Sequence, residues 1–279
     1  MNRTLGWFIL FLAAALPAAG SESQVNLPIT LPGGITADLT VSFESVTGLT
    51  PDNLGVSAQV VSTGDPSLLA RLPATASIPA GFPVLVRIEP PATGGLTFTG
   101  IVSIQIHTPP LPSTPNVPDP ADTLRLVAAP LGGVFTDITT ALRTLPQINM
   151  DTSYRVIGTK AGFSEFLIIS DQMPPDQAAA AKLDRLDQIL ADNAGTMPGA
   201  VRSSLAAELA AARAHSLQGD PAAALQDLDL FLSSVEQHSG PDIPNVWRAA
   251  RDLTNVAGLL RAGAKTLQLS LRMQHDPGR

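Results

Sequence analysis

Histidine, serine and acidic side chains are the groups in this chain that could act in catalysis or bind a metal. The four histidines are His107, His215, His238 and His275. No two of them have the short, fixed spacing of a metal-binding pair. His215 and His238 fall near the ends of predicted helices, where a positive charge is favourable. The histidines therefore predict no metal site.

The acidic residues offer a second route to chemistry, since two carboxylates can hydrolyse a glycosidic bond. Asp184, Asp187, Asp227 and Asp229 lie in segments that predict helices, where such residues usually form solvated faces. A catalytic acid pair could still assemble only in the folded chain. Aromatic residues are scarce, at 4%, whereas sugar-binding platforms use stacked rings. Trp247 is predicted to anchor a core or an interface instead.

Short motifs for catalysis and cofactor binding give no further lead. The sequence contains no Gly-x-Ser-x-Gly elbow, phosphate-binding loop or dinucleotide fingerprint. It carries 17 basic against 24 acidic residues, a net charge of −7, with no basic block. That balance disfavours nucleic acid and anionic membranes as partners. We therefore predict no catalytic, cofactor-binding or metal-binding residue, no cofactor and no nucleic acid partner.

Residues 1–20 have the pattern of a secretory signal peptide. Arg3 precedes an apolar run, and the small residues Pro17–Gly20 precede a polar stretch. The run is about a dozen residues long, and about 20 are needed to span a bilayer as a helix. We therefore expect cleavage near Ala19 or Gly20 and a mature chain with no transmembrane segment, exported to the periplasm or out of the cell. The absence of cysteine means that no disulfide stabilises the exported fold.

Residues 21–172 predict an antiparallel β-sandwich. The clearest strand runs from Ile35 to Phe43, where apolar odd-numbered positions alternate with polar even-numbered ones. About seven or eight such short runs are separated by turn residues, with no helical pattern between them. Parallel strands would need long crossovers, so the pattern favours antiparallel pairing.

The stretch Ser153–Asp171 closes the predicted sandwich. Alternation around Tyr154 and the apolar run Phe166–Ile169 predict two strands. Gly158 and Gly162 flank the residues between them and suit a turn. We therefore predict a terminal hairpin.

After Met173–Pro175 the composition changes, and residues 176–273 predict an all-α bundle of four helices. Asp220 provides a capping carboxylate, and Pro221 follows it at the first helical position. The predicted class is thus α+β, an N-terminal antiparallel β-sandwich followed by a C-terminal all-α helical bundle. The first three helices are predicted at Asp176–Asn193, at Pro198–Leu217 and from Asp220 onward.

The fourth predicted helix, about Asn245–Arg272, is the longest and points to a partner. Its apolar positions recur in steps of four and three, and it would be roughly 40 Å long, more than its neighbours could cover. We predict that a protein partner or a second copy of the chain binds through Leu260, Leu267 and Leu271. In the same register, Leu253 faces the shorter helices and is predicted to be buried.

Two segments resemble known modules. Ile78–Phe82 and Gly162–Phe166 resemble edges of the ZU5 sandwich family, related domains of which cut themselves at a His-Phe-Ser sequence. Here Gly162 replaces the histidine, so the base is missing and Ser164 is expected to be an ordinary strand residue. Leu205–Val256 resembles FIMAH, a small helical module of secreted or surface-attached bacterial proteins. The whole chain is similar to uncharacterised exported proteins of Gram-negative bacteria.

These observations favour a non-enzymatic exported protein that acts by binding in the envelope or outside the cell. The sandwich would be a rigid body, and the helices would form a partner surface. The alternative is a secreted hydrolase of glycans or peptides whose site assembles only in the fold. Carboxylates, or Ser and His, converging in a pocket would favour the hydrolase, and an exposed apolar helical strip would favour the binding protein.

Overall fold

The computed structural model describes residues 23–109, 111, 123–146 and 152–276, so the predicted signal peptide lies outside the described part. Within that part the chain forms two antiparallel sheets of six strands each, followed by helices. The predicted α+β class and the antiparallel sandwich are confirmed.

The first sheet contains the longest strands. It is formed by β1 (Gln24–Thr30), β2 (Thr36–Thr47), β6 (Thr97–His107), β10 (Thr152–Lys160) and β9 (Thr139–Pro146), in that spatial order, with β12 (Val246–Arg248) beside β6. Along β2 the side chains of Ala37, Leu39, Val41 and Phe43 are buried and their neighbours are more exposed. The alternation predicted from Ile35 to Phe43 is therefore confirmed.

The second sheet packs against the first. Its strands are β3 (Val56–Val60), β5 (Val84–Ile88), β11 (Glu165–Asp171), β7 (Leu124–Ala129) and β8 (Thr136–Asp137), with the short β4 (Ala76–Ser77) paired to β11. Leu39 and Ile104 of the first sheet and Val86 and Ile168 of the second belong to one core and are fully buried. Burying each such side chain contributes about 1.5–3 kcal/mol to folding before entropy is subtracted.

The two strands that close the sandwich do not form the predicted hairpin. β10 pairs with β6 and β9 in the first sheet, whereas β11 pairs with β5 and β7 in the second. The connection between them, residues 161–164, crosses from one sheet to the other. Apolar alternation identifies a strand and its buried face but not its partner, and for this reason the hairpin prediction was wrong.

Four long helices follow the sandwich and pack on one another. Within the described ranges, α1 (Pro51–Leu54) and α2 (Pro66–Leu69) are short helices between strands. The long helices are α3 (Pro175–Asp192), α4 (Gly199–Leu217), α5 (Pro221–His238) and α6 (Val256–His275). The first three agree with the predicted helices, and the Asp220 carboxylate accepts a hydrogen bond from the Ala223 N–H at 3.0 Å. No helix in the described ranges has the length and apolar character needed to cross a membrane.

Helix α6 begins eleven residues later than predicted, at Val256 instead of Asn245. Residues 246–248 form β12 and pair with β6, so a strand from the C-terminal part completes the first sheet. Asn255 then caps α6, because its side-chain oxygen accepts a hydrogen bond from the Gly258 N–H at 2.8 Å. The helix is about 30 Å long and not the predicted 40 Å.

The chain itself covers the apolar positions of α6. One side of the helix contacts α3 and α5, and another contacts β6, β9 and β10. Leu260, Leu267 and Leu271 are all at most 1% exposed. The prediction that a partner binds through these three leucines is therefore not supported. Leu253, predicted to be buried, precedes the helix and is 43% exposed.

Candidate functional site

A pocket of about 340 Å³ lies where the C-terminal part of the chain returns to the sandwich. One part of its wall is the crossing connection 161–164, and another part is formed by residues 251 and 253–255, which lead into α6. Residues 130–131, after β7, form a third side. The volume falls within the range of small-molecule sites, about 300–1,000 Å³.

Lys160 and Ser164 form a polar pair in the pocket wall. Lys160 is the last residue of β10, and Ser164 directly precedes β11. The Lys160 Nζ donates a hydrogen bond to the Ser164 Oγ at 2.7 Å. Burial lowers the pKa of Lys160 to about 8, and repulsion from Arg185 of α3 contributes in the same direction. No carboxylate of the described residues forms an ion pair with this ammonium, so it loses its proton more readily than a surface lysine.

The carboxylate of Glu165, beside Ser164, forms ion pairs with two arginines. Its carboxylate pairs with Arg71 and accepts a hydrogen bond from Arg87 at 2.8 Å. Burial raises the pKa of Glu165, but the hydrogen bonds from the two arginines outweigh it and hold that pKa below its usual value. Glu165 therefore stays ionised, and it neutralises Arg87 at the pocket rim.

Arg251 supplies an accessible positive charge. It lines the pocket, is exposed, and its guanidinium makes no hydrogen bond or ion pair within the described residues. Its φ of 56° is the one positive value among the described non-glycine residues. Such a conformation costs on the order of 1–3 kcal/mol and recurs at ligand-binding sites, where the fold holds it in place.

An aromatic cluster forms the inner wall. Trp247 stacks on Phe98 with ring centroids 5.1 Å apart and meets Phe163 edge-on at 5.2 Å. A Cβ at position 162 would lie 2.9 Å from the Trp247 Nε1, so Gly162 lets the connection approach the indole closely. Trp247 belongs to the sandwich core, as predicted for an anchor, and its ring also faces the pocket.

Two asparagines hold the C-terminal wall against β6. The Asn245 Oδ1 accepts a hydrogen bond from the Gly100 N–H at 2.9 Å, and the Asn255 Nδ2 donates to the Gly100 carbonyl at 2.7 Å. Arg261 of α6 makes two hydrogen bonds to the Glu44 carboxylate, at 2.7 and 2.8 Å. The C-terminal wall and α6 are therefore fixed to the first sheet by both hydrogen bonds and charge.

A second polar cluster, at the opposite end of β10, has the atom order of a Ser-His-Asp triad. The Ser153 Oγ lies 3.0 Å from the His107 Nε2, and the Asp38 Oδ2 lies 3.5 Å from the His107 Nδ1. A triad requires a buried aspartate, but the Asp38 side chain is 68% exposed. We interpret this cluster as cross-strand polar contacts and not as a hydrolytic centre.

The acidic residues singled out in the sequence lie on helix surfaces. Asp184 and Asp187 both pair with Arg213, and Asp227 pairs with His215 at 2.6 Å. None of these residues lines the pocket. Across the described ranges, no group of three His, Cys, Asp or Glu side chains is placed to hold a metal ion.

Neither Ser164 nor Lys160 is predicted as a site residue from the sequence. Ser164 is expected to be an ordinary strand residue because Gly162 occupies the position of the motif histidine, and Lys160 falls in the predicted turn. The signal available was a lysine four residues before a serine, with small or apolar residues between them. That spacing brings two side chains together only when the connection turns back, as it does between β10 and β11.

The model of a family of unknown function, DUF6689, matches residues 10–275. The chain therefore belongs to that family. No curated protein matches the chain.

Proposed function

We propose that the chain is an exported binding protein whose pocket takes a small ligand with an apolar body and a negatively charged end. The observation that carries this proposal is that one pocket combines an aromatic and aliphatic wall with the accessible guanidinium of Arg251. Export to the periplasm or the outside of the cell is proposed from the signal-peptide pattern of residues 1–20.

The apolar part of the pocket is suited to an alkyl or aryl group. Phe163, Trp247 and Leu259 line its wall, and Leu131 and Leu253 stand at its edge. Leu131 is 62% exposed and Leu253 is 43% exposed, so a ligand that covers them would remove their apolar surface from water. A ligand that removes such surface from water gains about 25 cal/mol per Å² of apolar area.

The charged part of the pocket favours a carboxylate or a similar anion. Arg87 is neutralised by Glu165 and lies 4.0 Å from Glu89, so it adds little net charge. Arg251 has no such partner in the described part of the chain and can donate two parallel hydrogen bonds to a carboxylate. Because the guanidinium is exposed, solvent screening reduces its contribution to about 1 kcal/mol.

Octanoate tests this proposal, with octanol as the neutral control of the same chain length. Trp247 is the only tryptophan after residue 20, so the emission of the mature chain reports on the pocket. We expect octanoate to change that emission saturably and to bind more tightly than octanol. Arg251→Gln should weaken octanoate binding about fivefold, which corresponds to about 1 kcal/mol, and leave octanol binding unchanged. Absence of saturable binding, or equal octanoate affinity in both proteins, would contradict the proposal.

A protein partner, also expected from the sequence, needs a surface other than the buried leucines of α6. Leu217 at the end of α4 and Leu230 in α5 are 79% and 61% exposed. Both are large apolar side chains exposed on the described helices, and the partner itself stays a prediction.

A further inference from the structure

We propose that Ser164 and Lys160 act as nucleophile and general base, so that the pocket hydrolyses esters of a medium-length carboxylic acid. This inference rests on the proposed function, because the same apolar wall would hold the acyl chain. It adds an activity to a pocket that would otherwise only bind.

The geometry of the pair supports the assignment. The Lys160 Nζ and the Ser164 Oγ are 2.7 Å apart, within reach for direct proton transfer. Both residues line the pocket. The backbone on either side is fixed, because Lys160 pairs with Val102 in the first sheet and the Ser164 carbonyl accepts a hydrogen bond from the Ile88 N–H at 3.1 Å. Nucleophile and base are therefore held by two different sheets.

Other bases near Ser164 are excluded. No histidine lines the pocket within the described residues. The Glu165 carboxylate is hydrogen-bonded to Arg71 and Arg87, so its oxygens are already occupied. Lys160 is the remaining basic group in contact with the Ser164 hydroxyl.

The reaction is a two-step acyl transfer. Neutral Lys160 takes the hydroxyl proton as the Ser164 Oγ attacks the ester carbonyl carbon. The bond from that carbon to the alkoxy oxygen then breaks, and the Lys160 ammonium returns the proton to the leaving alcohol. A water molecule, deprotonated by Lys160, attacks the acyl-serine, and the proton goes back to the Ser164 Oγ as the acid is released. The net change is ester plus water to acid plus alcohol.

The rate should follow the protonation of Lys160. Burial, assisted by Arg185, brings its pKa to about 8, so a useful fraction is neutral near neutral pH. We expect the rate to rise with pH and to level off above about 8. The charged groups that face or line the site around Lys160 are Arg185, Arg87, Glu89, Glu165 and Arg251.

Hydrolysis of p-nitrophenyl octanoate by the full mature chain measures this activity, and an octyl fluorophosphonate marks the nucleophile by peptide mass. Ser164→Ala should lose at least about 100-fold in rate and all labelling at that peptide. Lys160→Arg keeps the charge and a donor but cannot give up its proton, so it should lose a similar factor and the pH dependence. Ser153→Ala is the matched control, because it removes the serine that contacts His107, and it should keep full activity.

Octanoate binding, read from Trp247, separates this inference from the proposed function. If octanoate binds and Ser164 is neither labelled nor needed for hydrolysis, the catalytic assignment is overturned and the binding site stands. If Ser164 is labelled and octanoate does not bind, the catalytic assignment stands and the acid-binding proposal fails. Ser164→Ala, Lys160→Arg and Ser153→Ala should each bind octanoate like the unchanged chain, which shows that the pocket of each variant is folded.

Discussion

Replacing Lys182 by methionine tests the charge pair that joins the helices to the sandwich. Lys182 lies in α3, and its Nζ is 2.6 Å from the Oδ2 of Asp137 in β8. The same ammonium donates hydrogen bonds to the Thr266 carbonyl at 3.1 Å and to the Ser270 Oγ at 2.9 Å, both in α6. One side chain therefore connects α3, α6 and the second sheet.

The expected loss follows from burial. The side chains of Lys182 and Asp137 are only 10% and 17% exposed. Lys182→Met leaves the Asp137 carboxylate buried without its counter-charge, which costs about 3–5 kcal/mol of unfolding free energy. Replacing both residues, with Asp137→Leu added, removes the buried charge altogether and should cost less than about 2 kcal/mol.

The pH dependence gives a second, independent test. Burial raises the pKa of Asp137, but the Lys182 charge and the hydrogen bonds from Lys182 and Thr139 outweigh it, so the net pKa lies below the usual 3.8. The pair therefore contributes its full stability above that usual pKa and loses it as the pH falls through the lowered value. In Lys182→Met the Thr139 hydrogen bonds remain, but the Lys182 charge that opposes burial is gone, so the pKa of Asp137 rises relative to the unchanged chain and the carboxylate is protonated at a higher pH. The cost of the substitution should therefore be smaller at pH 5 than at pH 7.

Urea unfolding of the unchanged chain, the two single variants and the double variant, followed by circular dichroism at both pH values, measures these differences. The expected result is a double variant more stable than Lys182→Met. A double variant whose loss equals the sum of the two single losses would refute the coupling. An equal cost of Lys182→Met at pH 5 and pH 7 would refute the assignment of that cost to a buried carboxylate.

Two further pairs of substitutions test the packing around α6 by thermal melts. Leu267→Asp places a charge at a fully buried position and should cost several kcal/mol of unfolding free energy. Leu253→Asp, at the exposed edge of the pocket, should leave the fold intact. Equal losses of stability in the two variants would contradict the burial of this face of α6. Gly100→Ala should cost about 1 kcal/mol or more, because φ is +75° and the new methyl group would overlap the Glu44 carboxylate. The new methyl group of Gly195→Ala would have no atom within 4 Å, so the stability of this control should be nearly unchanged. A loss of stability equal to that of Gly100→Ala would contradict the role of close packing at Gly100.

The mispredicted start of α6 shows where local pattern fails. The apolar spacing of Asn245–Arg272 suits a helix throughout, yet residues 246–248 form a strand. Trp247 stacks on Phe98 and belongs to the sandwich core, and this contact decides the local backbone. Tertiary packing of one large aromatic side chain outweighs a helix propensity difference of a few tenths of a kcal/mol per residue.

The candidate site shows the same limit. Lys160 and Ser164 are close in sequence, but Arg251 comes almost 90 positions later. Arg251 and the 161–164 connection line the same pocket because the pairing of β12 with β6 brings the C-terminal segment back to the sandwich. Neither charge nor motif distinguishes these residues in the sequence. Lys160 differs from the similarly buried Lys182 in having no carboxylate partner among the described residues, which is a property of the fold.

Local sequence pattern predicts the two-part order of the chain, most strands and three of the four long helices. Period, caps and turn residues act over a few positions, so they can be recognised without the fold. The fold, in contrast, sets which sheet β10 and β11 each join, where α6 begins, and that a lysine, a serine, an arginine and a tryptophan share one pocket. The reason is physical: strand pairing, burial and the pKa of a buried group depend on contacts between residues far apart in the chain, which local pattern does not specify.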